Sequence, residues 1–97
     1  MRFTWDEAKN RSNRRKHRVS FQTAASVFDD PDHFSGFDRE VDGEWRWHTI
    51  GTAKGVQLLL VVHTIVESDH EEEIIRIISA RKATPQDPHP ITRKSGT

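Results

Sequence analysis

Hydrophobic positions along the chain repeat at two different periods, and the periods divide it into elements. Phe3-Thr4-Trp5 predicts a short first strand. Asp6 then suits a helix N-cap, and Glu7 lies in the first turn, where a carboxylate meets free N–H groups. This helix is expected to run to about His17, with Ala8 as its only hydrophobe, so it has to pack through Ala8 and the stems of long side chains. Ser20 caps a second helix, in which Phe21, Ala24, Ala25 and Phe28 form one apolar stripe at i, i+3, i+4 and i+7. Asp29-Asp30-Pro31 ends it. Phe34 and Phe37 mark a short edge strand inside an acidic, turn-rich stretch.

From residue 44 the period changes to two. Glu44 to Ile50 alternates, placing Trp45 and Trp47 on one face and Glu44, Arg46 and His48 on the other. Residues 51–55 read as a hairpin turn, residues 56–66 as a central strand apolar on both faces, residues 67–72 as a solvated acidic turn, and residues 73–82 as the last strand. Short turns between strands imply an antiparallel meander. The expected class is α+β, two N-terminal helices packed on an antiparallel β-sheet. Residues 1–84 form one domain, and a Pro-rich tail over 85–97 is expected to be disordered.

Composition narrows the function. Of 97 residues, 33% are hydrophobic and 31% charged, so the core is small and much surface remains for partners. Without cysteine there is neither a disulfide framework nor a thiolate zinc site, which fits a reducing cytoplasm. The six histidines lack metal-ligand spacing, so no metal and no cofactor are expected. No signal pattern opens the chain, and the longest apolar run is too short and too interrupted to span a membrane. The net charge of 0 conceals blocks: residues 1–18 hold seven Lys/Arg against two acids, and residues 29–44 hold seven acids against Arg39. Such blocks can present a local anion-binding face, or they can simply be solvated faces that offset one another.

The candidate chemistry lies on the strands. Glu44, Arg46 and His48 share a face at intervals of about 7 Å. A carboxylate, a guanidinium and an imidazole in a row suit metal-free phosphodiester cleavage, in which one group takes a proton, one neutralises charge and one returns a proton. An ordinary wet sheet face with a Glu-Arg pair is the competing explanation. Arg76 interrupts the isoleucine run of the last strand, where a guanidinium is costly unless it is paired or faces a polar cleft. It is either a phosphate ligand beside Arg46 or the structural counter-ion of Glu44. Strand alternation puts Lys82, and not Arg81, in phase with Arg76.

The motifs Phe3-x-Trp5-Asp6-Glu7-x-Lys9, Asn13-x-x-Lys16-His17, Val19-Ser20-Phe21-x-x-Ala24 and Val27-Phe28-x-Asp30-Pro31 follow one known order. Glu44-x-Arg46-x-x-x-Ile50-Gly51, Leu60-Val61-Val62-x-Thr64 and Ile75 to Ala83 continue it. Over residues 3–84 the chain resembles the BrnT family of type II toxins. The resemblance implies a RelE-like fold and an endoribonuclease that arrests growth. It also implies a cognate BrnA-like ribbon-helix-helix antitoxin, through which alone operator DNA is bound. On this reading the ribose 2′-hydroxyl attacks the adjacent phosphate. His17, Glu44, Arg46, Arg76 and Lys82 are the catalytic candidates, with Glu44 or His17 as base. Lys16, His48 and Arg81 are the RNA-binding candidates, and His48 is also a candidate acid. Two features depart from the family pattern. Arg18 stands where glycine commonly follows Lys-His, and the chain lacks the tyrosine that many RelE-like toxins use. Both give some weight to a second reading, a binding module that partners a DNA-binding antitoxin with little activity of its own.

Overall fold

A computed structural model describes residues 1–70 and 72–88. Strand β1 (Arg2–Thr4) leads into helix α1 (Glu7–His17) and helix α2 (Phe21–Ala25), which tightens into a 3-10 turn over Ser26–Asp29. Four strands follow: β2 (Phe34–Val41), β3 (Glu44–Ala53), β4 (Gln57–Glu67) and β5 (Glu73–Lys82). They form one sheet in the order β1-β5-β4-β3-β2. Strands β2 to β5 are the expected antiparallel meander, but β1 runs parallel beside β5, so the sheet is mixed. No tight turn joins β1 to β5, so hairpin geometry does not dictate its direction.

Both helices lie on one face of the sheet, and the core sits between. Phe21, Ala24 and Val27 pack with Leu59, Val61, Ile75, Ile77 and Ala80, all at most 1% exposed. Trp5 meets Phe21 edge-on at 6.2 Å, and Phe28 touches Phe3 and the His63 ring. The caps are as expected: Asp6 accepts from the N–H of Ala8, and Ser20 from that of Thr23.

Helix α1 docks through amides rather than hydrocarbon. Asn13 donates to the carbonyls of Val19 (2.9 Å) and Ala80 (2.8 Å) and accepts from the Ala80 N–H (3.2 Å). β1 pairs with β5 only as far as Arg76, so the Asn13 carboxamide serves the free edge of β5 where a strand partner has ended. Asn10 accepts from the Phe21 N–H at 2.8 Å and so ties α1 to α2.

Three local features depart from simple alternation. Gly51 lies inside β3 rather than in a turn: a Cβ there would stand 2.9 Å from Val27 Cγ1 and 3.2 Å from an Asp30 carboxylate oxygen. The missing side chain admits the 3-10 turn, and Asp30 then accepts from the Thr52 N–H at 2.7 Å. Asp42 and Gly43, both at positive φ, form the two-residue β2–β3 turn, which lengthens the expected edge strand to eight residues. In β5 the register skips Ile78, because Ile77 pairs with His63 and Ser79 with Val62.

Past Lys82 the chain turns back on itself. Asp87 accepts from both Arg81 amino groups at 2.9 and 3.0 Å and from the Thr84 N–H at 2.7 Å. The rest of the expected tail, residues 89–97, lies outside the described residues. No described helix is long and apolar enough to cross a membrane.

Replacing Asn13 by Ala strands three buried backbone groups, at roughly 1 kcal/mol or more each. The expected loss is about 2–4 kcal/mol in urea unfolding, whereas the exposed Ser12→Ala on the same helix should change stability by less than about 0.5 kcal/mol.

Candidate active site

The face of the sheet away from the helices carries the polar cluster. Glu44 and Arg46 come from the start of β3 and Arg76 from β5, with Thr64 of β4 directly opposite Arg76. One carboxylate bridges both cations: Glu44 Oε2 accepts from Arg76 Nη2 at 2.6 Å, and Glu44 Oε1 lies 3.5 Å from Arg46 Nε. The hydrogen bond from Arg76 holds the Glu44 carboxyl below its usual range, despite some desolvation, and the Arg76 and Arg46 charges reinforce this. Glu44 is therefore an anion at neutral pH. The bridge is open to water, because the Glu44 and Arg76 side chains are 42% and 41% exposed. Among the described residues Arg46 Nε and Thr64 Oγ1 are buried with no hydrogen-bond partner, an uncommon condition for polar atoms.

The structure gathers some expected residues here and separates others. His48 shares this face but is enclosed. It is 8% exposed, its ring abuts Gly36, and its Nδ1 lies 3.2 Å from Asp38 Oδ1. Burial works against ionisation of Asp38, but the hydrogen bonds from Arg39 and His48 outweigh it and its pKa is lowered. Glu44 and His48 are four strand residues apart, about 13 Å, too far to serve one phosphate.

Strand parity needs correction at Ile78. The bulge shifts the phase of β5, so Ile75, Ile77 and Ala80 all face the core. Lys82 stands opposite the fully buried Leu59 and thus shares the helix-bearing face, while Arg81, opposite Leu60, falls on the Arg76 face. Arg81 is not free there, because Asp87 engages it twice, and that pairing holds the Asp87 carboxyl down to about 2. Lys16 and His17 end α1 on the helix-bearing side, so the structure does not bring them to Glu44. Among the described residues no group of three or more His, Asp or Glu is arranged to hold a metal.

Two members were not anticipated. Thr64 had a signal, as a polar break in an apolar strand. Asp38 had none, since its position depends on the β2 irregularity between Phe37 and Arg39.

A family model described as "Ribonuclease toxin, BrnT, of type II toxin-antitoxin system" matches residues 5–87. The chain belongs to the BrnT family. That makes it a ribonuclease toxin of a type II toxin-antitoxin system, with RNA as substrate and an antitoxin as partner. The crystal structure of the Brucella abortus ribonuclease toxin BrnT is similar, with a TM-score of 0.61 and 23% identity over 87% of this chain and 97% of that one. At that identity the likeness speaks for the fold. Comparison with the curated proteins gives no match. Within the BrnT match fall all the expected site residues, from Lys16 to Lys82.

Behind the cluster, on the helix-bearing face, His63 is 1% exposed and its Nε2 lies 2.7 Å from the Thr49 hydroxyl. Burial pushes its imidazole down to about 4 from an ordinary 6.5, a hydrogen bond to the Thr64 carbonyl opposing and the neighbouring His48 adding to it. The unfolded chain therefore binds a proton near pH 6.5 that the fold refuses until about pH 4. Stability is full above pH 6.5 and should fall as pH drops to 4, by about 1.4 kcal/mol per unit and roughly 3 kcal/mol in all. Urea unfolding at pH 7, 6 and 5 reads this slope, and His63→Leu should flatten it.

Proposed function

We propose that the chain is a metal-independent endoribonuclease whose reacting phosphate binds at Arg46 and Arg76 on the uncovered sheet face. The observation that carries this reading is the single carboxylate held by two guanidinium groups at a water-accessible site. A phosphodiester presents the same charge and the same paired oxygens, so it can compete for those donors.

On this reading the incoming phosphate draws Arg76 away from Glu44. The freed carboxylate loses the hydrogen bond that depresses its pKa and becomes a stronger base. Glu44 takes the proton of the 2′-hydroxyl, and the 2′-oxygen forms a bond to phosphorus. The bond from phosphorus to the 5′-oxygen breaks, and water protonates that oxygen, since His48 is too distant and tied to Asp38. The products are a 2′,3′-cyclic phosphate and a 5′-hydroxyl. Arg46 and Arg76 stabilise the charge that develops on the phosphoryl oxygens. We further assign neutralisation to a BrnA-like ribbon-helix-helix antitoxin that brings the complex to operator DNA, and place the chain in the cytoplasm.

Purified protein in EDTA should cleave RNA to these ends. Arg46→Ala and Arg76→Ala should each lower kcat/KM by about 100-fold or more. The Arg76 pair is half exposed, so its loss leaves the fold intact. Unchanged cleavage in both folded variants would leave the Glu44 bridge as a structural pair, whereas no cleavage by the wild-type protein would favour the binding-module reading.

A further inference from the structure

We propose that α1 carries a second RNA-binding surface, an arginine track that grips the phosphate backbone away from the cleavage site. It rests on the family's ribonuclease activity, and not on the roles given to Glu44, Arg46 and Arg76. Arg11, Arg14, Arg15 and Arg18 stand at i, i+3, i+4 and i+7, along the exposed flank next to the one that buries Asn10 and Asn13. All four are exposed, and among the described residues they line an open cleft of about 650 Å³.

Their charges also stand together without a counter-ion. In the sheet Arg39, Arg46, Arg76 and Arg81 each have a carboxylate partner, and Arg2 of β1 has none among the described residues. Arg11, Arg14 and Arg15 of α1 and Arg18 at its C-cap form no ion pair with a described residue. Glu7, the helix's own acid, is engaged by Trp5 Nε1 and the Asn10 amide. Arginines three and four positions apart repel one another, so the fold gains nothing from the column itself.

The helix dipole favours cations in the last turn, but it does not account for the whole column. Arg11 lies before the last turn. Arg18 lies past the end of the helix at φ 62°, in the left-handed region where glycine sits without strain. An arginine kept at a strained position, closing a row of unneutralised arginines, points to a ligand with many negative charges.

The ligand class follows from spacing and chemistry. Neighbouring arginines on a helix face stand about 5–6 Å apart, a regular ladder of forked donors. An RNA strand offers one phosphate per nucleotide at regular intervals, and its bases can stack on guanidinium planes. An acidic protein segment fits such a column only where its carboxylates happen to fall in register. RNA is therefore the occupant this track fits.

The test uses the full chain and a fluorescent single-stranded RNA methylated at every 2′-oxygen, which is bound but not cleaved. Anisotropy titrations across salt concentrations compare wild type with Arg11→Gln/Arg15→Gln and Arg14→Gln/Arg18→Gly. Each pair should weaken binding at least tenfold at low salt and reduce the slope of log K against log salt by about 1.4, two lost phosphate contacts at about 0.7 each. Arg18→Gly should also raise the melting temperature, which separates a binding role from a structural one. Wild-type affinity and slope in both variants would overturn the proposal. So would a polyglutamate peptide of equal charge binding the track more tightly than the RNA. Cleavage is not the readout, so this failure is distinct from full activity in Arg46→Ala.

Discussion

The docking of α1 by carboxamides is the constraint on which the charge layout of this molecule depends. A helix with one alanine as its only hydrophobe cannot be held by burial alone. Asn13 solves this by bonding the backbone of β5 at Ala80, and Asn10 by bonding α2 at Phe21. Because the buried side is polar and specific, an adjoining exposed flank is free to carry a row of arginines. The same contact caps the edge of β5 just past the bulge at Ile78, where the phase of the strand changes. The chain's arginines therefore differ in their surroundings. Among the described residues Arg39, Arg46, Arg76 and Arg81 of the sheet each have a carboxylate partner, and Arg11, Arg14, Arg15 and Arg18 have none.

Much of this fold was legible in the sequence because the signals were local. Asp6 and Ser20 mark helix starts through a side-chain hydrogen bond that any such residue can make there. The Phe21 stripe and the span of β5 follow directly from hydrophobic period. What escaped depended on contacts distant in sequence. The bulge at Ile78 overturned the parity that had set Lys82 beside Arg76, and no residue type in that run announces a skipped position. Gly51 looked like turn chemistry, yet it is required because the 3-10 turn presses against β3. The Asp42-Gly43 turn was a readable hairpin signal and would have extended β2.

The candidate site was legible in its members and less so in its assembly. Glu44, Arg46 and Arg76 do meet, as period-two alternation and an arginine among isoleucines implied. His17 does not join them, because helix α1 covers the other face. His48 shares the face but is enclosed with Asp38, and Arg81 is engaged by Asp87. Side-chain type and strand spacing identify which groups can face one way. They do not reveal which cation already has its carboxylate.

The position of the reacting phosphate decides between these roles. A structure of this protein with a short RNA methylated at its 2′-oxygens would place that group directly. The expected result is a phosphate within hydrogen-bond distance of both the Arg46 and Arg76 guanidinium groups, with Glu44 released from Arg76 and turned toward the adjacent 2′-oxygen. An RNA bound only on the helix-bearing face, with the Glu44–Arg76 bridge unbroken, would contradict it.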